Sequence, residues 1–179
     1  MIKRAFIKIF FHLFKFFLKP LDGRLPRLYM YFYNRMLKMV GVKLDGMPRY
    51  VSTAVRFDDF DKITLSERVV ISEKVILLTH DYSVTTGLIA LGRNPKTDVA
   101  FIREIKIGRN VFIGMGAIIM PGTTINDNVI IGAGSVVRGT IPADSIVIGN
   151  PSKVIGSLSE KAVAWEKALE NATTRVDAL

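Results

Sequence analysis

IKIGRNVFIGMGAIIMPGTTINDNVIIGAGSVVRGTIPADSIVIG, residues 105–149, repeats every six residues. Ile107, Ile113, Ile119, Ile125, Ile131 and Val137 hold one phase. Two places before each stands a second apolar or small residue: Ile105, Val111, Ala117, Thr123, Val129 and Ser135. Glycine follows at three of these sites, Gly108, Gly114 and Gly132. A period of six fits neither a helix nor the simple alternation of one long strand. It fits a coil whose wall turns a corner every six residues. Each face is then a short strand, and every sixth side chain points into the lumen to stack on its counterpart one coil away.

The phase extends upstream through Leu77, Ile71 and Leu65, with Val75, Val69 and Ile63 two places earlier. Between Val51 and Asp61 it degrades, leaving Thr53 and Asp59 at lumen positions, which reads as a ragged first coil. Between Leu77 and Ile107 it fails. Residues 81–103 carry Gly87, Gly92 and Asn94-Pro95 and read as an inserted loop without regular structure. An insert of that length in a compact repeat is usually functional. After the coil, Ser157 to Glu160 has the form of a capping box opening a helix to about Asn171. Leu158, Ala162, Trp165 and Leu169 share one of its faces and suit docking on, or capping, the open end of the coil.

Charge separates the first segment from the rest. The chain of 179 residues carries a net charge of +9, and residues 1–43 hold ten Lys/Arg against Asp22 alone, so the whole excess lies there. A nucleic-acid reader would carry its basic residues on the folded face, so no nucleic-acid partner is expected. Arg4, Lys8, His12, Lys15 and Lys19 form a basic stripe on a helix whose remaining surface is mostly Phe, Ile and Leu. No uncharged run reaches the roughly 20 residues of a membrane span, and no small-residue cleavage site marks a signal peptide. The pattern predicts a helix in the membrane interface, its lysines on anionic headgroups, ended by Pro20. A second amphipathic stretch follows from about Pro26 to Val40. Arg27, Tyr31, Arg35 and Lys38 stand on one side, and Leu28, Met30, Phe32, Met36, Leu37 and Met39 cover the rest. Packing of both helices on the coil or on a neighbouring subunit is the alternative. The expected organisation is a basic amphipathic segment at 1–45, the coil at 46–157 with its insert at 81–103, and a helix and tail at 158–179.

The chain has no Cys, which excludes disulfides, thiolate metal sites and a cysteine nucleophile. Its only histidine outside the basic stripe is His80, placed where the regular wall breaks into the insert. Histidine titrates near neutrality and suits general-base work on a hydroxyl. A corner imidazole satisfied by a backbone carbonyl is the bland reading.

The Ile-Gly repeats, His80-Asp81 before an insert, and the run from Lys106 to Ile155 resemble the hexapeptide-repeat acyltransferases, most closely the maltose, galactoside and polysaccharide O-acetyltransferase branch. The likeness covers about residues 50–157. It implies a mainly β fold, a left-handed parallel β-helix with N-terminal amphipathic helices and a C-terminal helix added. It also implies a homotrimer with sites between subunits, and acetyl-CoA as co-substrate with no metal required. Handedness rests on the resemblance, since the period does not choose a hand. The family's catalytic base falls on His80. Phe112 falls on a cleft position beside the donor, with wall packing as its alternative. Gly114, Gly132 and Ala133 fall where small residues admit a pantetheine arm, although repeat geometry alone would also demand them. Arg138 and Lys153 match cations that meet the CoA phosphates. Asp59 is the nearest match to the family's acceptor-binding polar residue. Asp81 and Tyr82 orient His80, touch the acceptor, or simply open the loop.

The function expected is O-acetylation of a sugar hydroxyl on a glycan, such as a lipid-linked polysaccharide intermediate. It would take place in the cytoplasm at the inner membrane face, with residues 1–43 on the membrane surface. The alternatives are N-acylation of an aminosugar nucleotide, acetylation of a xenobiotic, and a membrane-anchored scaffold without activity. Metal-dependent carbonic anhydration would need three histidine ligands.

Overall fold

The computed structural model describes residues 2–22, 24–170 and 172. Side chains of residues 2–6 and 8, Arg4 and Lys8 of the basic stripe among them, lie outside the described residues, as do Asn171 and the tail 173–179. The six-residue phase becomes three parallel sheets around one core. The first sheet orders Lys43–Asp45, Ile63–Ser66, Ile105–Ile107, Thr124–Ile125 and Thr140–Ile141. The second runs Tyr50–Val51, Val70–Ile71, Phe112–Ile113, Val129–Ile131 and Ser145–Gly149, closed by the antiparallel Ser152–Ser157. The third stacks Arg56–Phe57, Ile76–Leu77, Ile118–Ile119 and Val136–Val137. The chain visits the faces in the order first, second, third, and each circuit is one coil of a parallel β-helix.

Inward side chains stack as the phase requires: Ile107, Ile113, Ile119, Ile125, Ile131 and Val137 are all buried. Paired residues are 18 apart where the repeat is regular, as in Phe112 with Ile130. The step widens to 42 across the insert, as in Val70 with Phe112. At the first coil it is 20, Val51 pairing with Ile71 and Phe57 with Leu77. Two extra residues shift the phase there. Val51, Val55 and Phe57 fill the lumen in place of Thr53 and Asp59, which corrects the sequence expectation. Corner residues with positive φ, Asn110 and Asn128 at one edge and Gly116 and Gly134 at the next, take the left-handed turn that each corner needs.

Helix α1 (Ile2–Asp22) runs past Pro20 to Asp22. A proline in the last turn removes one hydrogen bond without ending the helix, contrary to the expected stop. Helix α2 (Pro26–Val40) starts on a proline and ends at Gly41, whose φ of 110° and N–H bonds to Leu37 and Lys38 carbonyls form its C-cap. The two helices share the first coil's core. Phe11, Leu18, Tyr29, Tyr33, Met36, Leu37 and Val40 join one buried cluster with Val51, Val55, Phe57 and Phe60. Tyr29 donates its hydroxyl to the Val51 carbonyl at 2.5 Å. Lys15, expected on headgroups, turns inward and donates to the Val55 carbonyl at 3.1 Å.

The insert is not structureless. His80–Asp81 pairs antiparallel with Phe101–Ile102, and α3 (Ser83–Ala90) lies between them. Helix α4 (Leu158–Leu169) is N-capped by Ser157, whose Oγ accepts from the Glu160 N–H at 3.2 Å, the first half of the expected capping box, but it buries none of its side chains. It therefore does not dock on the core of its own chain as expected. Asp144 anchors its first turn by accepting from Ser157 and Ser159.

Candidate active site

The edge between third and first faces collects the chemistry. On successive coils the wall turns there at Asp58-Asp59, at Thr79-His80, at Met120 to Gly122 and at Arg138-Gly139. Strand pairing sets this alignment: Phe57 opposite Leu77 brings Asp58 beside Leu78 and His80. The Asp58 N–H donates to the Leu77 carbonyl at 3.2 Å.

His80 Nδ1 lies 2.9 Å from Asp58 Oδ2 and 3.7 Å from Asp59 Oδ2. In the neutral imidazole, a carboxylate at that distance selects the tautomer protonated at Nδ1, with Nε2 as the acceptor. Both carboxylates are held in turn. Asp58 Oδ2 accepts from the Thr79 N–H at 3.2 Å, and Asp59 Oδ2 accepts from Thr79 Oγ1 at 3.1 Å. The imidazole is 35% exposed while Asp58 is 12% exposed. A shielded anion behind a solvent-accessible ring is the arrangement that presents a base to a substrate.

Tyr82 meets the His80 ring edge-on at 5.2 Å between centroids. Asp81 faces away from the imidazole and accepts from the Ser83 N–H at 2.9 Å. Hydrogen bonds from Ser83 hold the Asp81 carboxyl below the usual range, helped by the positive charges of Arg138 and Arg103. Arg138 thus shares the His80 edge. Arg103, which closes the insert by donating its N–H to the Thr79 carbonyl at 2.8 Å, was not singled out from sequence.

The remaining expected residues lie elsewhere. Phe112 projects, exposed, from the outer side of the second sheet. Gly114, Gly132 and Ala133 form the edge between second and third faces, and Lys153 lies in the last strand of the second sheet. A Cβ on Gly114 would stand 2.5 Å from the Ala133 nitrogen, and one on Gly132 would stand 2.9 Å from Ile148 Cγ1. Contact between coils is by itself enough to require glycine at both. A single chain therefore does not unite these residues with His80. Asp58 is the partner sequence reasoning missed. The signal was present in the aspartate pair, had the two-residue shift of the first coil been applied. A shallow cavity of about 270 Å³ on the first sheet, lined by Asp45, Thr64, Ser66, Lys106 and Asp127, contains none of the expected residues.

The bacterial transferase hexapeptide (six repeats) family model matches residues 104–139. The chain is 29% identical over 141 residues to WbbJ of Escherichia coli (strain K12), named for O-acetyl transfer in lipopolysaccharide biosynthesis, and the match covers 72% of each protein. Galactoside O-acetyltransferase of the same organism is 35% identical over 104 residues, 58% of this chain and 48% of that one. The crystal structure of a maltose O-acetyltransferase from Clostridium difficile 630 superposes with a TM-score of 0.59 at 28% identity, covering 87% of this chain and 86% of that one. A galactoside acetyltransferase in complex with coenzyme A shares the fold at a TM-score of 0.55 and 24% identity, over 86% and 83% of the two chains. The chain therefore carries the transferase hexapeptide repeat and is similar to the acetyltransferases built on it, the O-acetyltransferases among them.

Proposed function

We propose that the chain transfers an acetyl group from acetyl-CoA to a hydroxyl of a sugar, in a cell-surface polysaccharide or its lipid-linked precursor, with His80 as general base. The His80–Asp58 pair carries the reading, since it leaves a lone pair on Nε2 at an open edge. Nε2 takes the proton of the acceptor hydroxyl as its oxygen attacks the thioester carbonyl. When the C–S bond breaks, the imidazolium returns that proton to the leaving thiolate. Asp58 stabilises the imidazolium meanwhile, and backbone N–H groups in the cleft hold the oxyanion. Arg138, exposed on the same edge, suits a phosphate of the donor, and Asp59 and Tyr82 lie near enough to His80 to meet the acceptor.

The working unit in this reading is a homotrimer of left-handed coils. Outward residues of the first sheet are polar: Thr64, Lys106, Thr124 and Thr140. Those of the second and third are mostly aliphatic or aromatic, with Val70, Phe112 and Ile130 on one and Ile76, Ile118 and Val136 on the other. Two apolar faces on one prism call for a neighbour on each, and a closed three-fold ring supplies both. Such a ring sets the His80 edge of one copy beside the second face of the next. It thereby supports assigning Phe112, Gly114, Gly132, Ala133 and Lys153 to a donor cleft between copies.

No helix among the described residues is long and apolar enough to cross a membrane. Ile9, Phe10, Leu13, Phe16 and Phe17 nevertheless form an exposed apolar arc on α1, in the segment that holds the positive charge. This supports peripheral attachment to an anionic bilayer, at the inner face in the cytoplasm. The test is incubation with acetyl-CoA and a panel of maltose, a galactoside and an aminosugar nucleotide, read by mass spectrometry. An acetyl ester on a sugar hydroxyl is expected, and an amide on the aminosugar alone would reassign the enzyme to N-acylation.

A further inference from the structure

The inner face of α1 rests on the segment that carries the two catalytic-edge carboxylates. Phe11, 2% exposed, packs with its ring centroid 4.9 Å from Phe60 and 6.0 Å from Phe57, the residues that bracket Asp58 and Asp59. One turn later, Lys15 Nζ holds the Val55 carbonyl at 3.1 Å and stands 5.1 Å from the Phe11 ring. Residues 55–60 thus lie between α1 on one side and the strand leading to His80 on the other. Asp58, which stands 2.9 Å from His80 Nδ1, belongs to that segment.

The opposite arc of α1, Ile9, Phe10, Leu13, Phe16 and Phe17, lies in solvent. A helix takes most of its stability from the packing of its faces, and here only one face is packed by the chain itself. A ligand that binds the seated helix favours that state by mass action. We propose that α1 couples membrane contact to catalysis: anionic phospholipid on its outer arc secures the seated helix, and Phe11 and Lys15 transmit that order to Asp58 and so to His80. Phe11 is on this account a positioning residue. The inference rests on the reading of His80 as the base.

Two measurements on the full chain need no acceptor. The first is the imidazole ¹⁵N spectrum, simple to assign because the chain has two histidines. Wild type is expected to show His80 protonated at Nδ1. Phe11→Ala should give a mixture of tautomers, and Phe11→Leu should restore the single form. The second is amide hydrogen exchange with phosphatidylglycerol vesicles, with phosphatidylcholine vesicles as control. The anionic vesicles should slow exchange at residues 55–60 roughly tenfold when lipid is about ten times its Kd. A Phe16→Ser, Phe17→Ser double variant should lose that effect and keep the wild-type tautomer. A wild-type His80 protonated at Nε2 would overturn the base reading itself. An Nδ1 proton that survives Phe11→Ala, or vesicles that alter exchange in α1 alone or nowhere, would overturn the coupling and leave the base reading standing.

Discussion

His80 was legible as a candidate because it is the histidine at the point where a regular wall breaks. Its orienting partner was not, because Asp58 lies 22 residues earlier in a coil whose phase is shifted by two. Counting backward in sixes puts Asp59 in the lumen, and adjacency in sequence makes Asp81 and Tyr82 the neighbours expected of His80. The folded chain instead turns Asp81 toward Ser83 and gives Nδ1 to Asp58. Asp58→Asn removes the charge that selects the tautomer and stabilises the imidazolium. It should lower kcat by roughly 10²-fold or more with little change in the KM for acetyl-CoA. Steady-state kinetics would show this, and an unchanged kcat would assign Asp58 to packing alone.

Among the elements, the regular coils were readable because one period dictates both the strands and the corners. Glycine is needed at the corners for two separate reasons. At Gly108 an added Cβ would stand 2.6 Å from Asp127 Oδ1 and 2.8 Å from the Asn126 carbonyl carbon, whereas Gly116 has open space and a φ of 69°. Gly108→Ala should therefore destabilise by about 1–3 kcal/mol. Gly116→Asn, which tolerates that φ, should be nearly neutral, and thermal unfolding would separate the two. The helices were harder, because α1 is apolar on two arcs and its periodicity does not say which arc faces inward. The stripe pattern alone therefore places Lys15 outward with the other cations, whereas the fold turns it to the Val55 carbonyl. Burial pushes its amine down from 10.5 to about 8. The buried charge penalises the folded state below about pH 8, and stability should rise between there and pH 10.5 as the amine loses its proton. Urea midpoints across that range should climb in wild type and not in Lys15→Met. Parallel curves would place the amine in solvent. Tyr29 and Tyr33, both buried, carry no sequence mark of it, because tyrosine suits either a core or an interface.

For the molecule as a whole, the β-helix followed from the repeat, while the insert's short helix and its pairing with His80–Asp81 carried no periodic mark. The outward residues of the three sheets add what the inward pattern could not. In the trimer proposed above, the two apolar faces are the ones that neighbouring copies would cover. Sedimentation should give three times the chain mass, and Ile118→Lys in the third sheet should reduce it to one. A wild-type monomer would leave the donor residues on edges that His80 cannot share. The most direct test of the whole account is the rate of acetyl transfer from acetyl-CoA to the best sugar of the panel by His80→Ala. The rate should fall by about 10²–10⁴-fold while acetyl-CoA binding and assembly stay intact. A variant that transfers acetyl at the wild-type rate would contradict it.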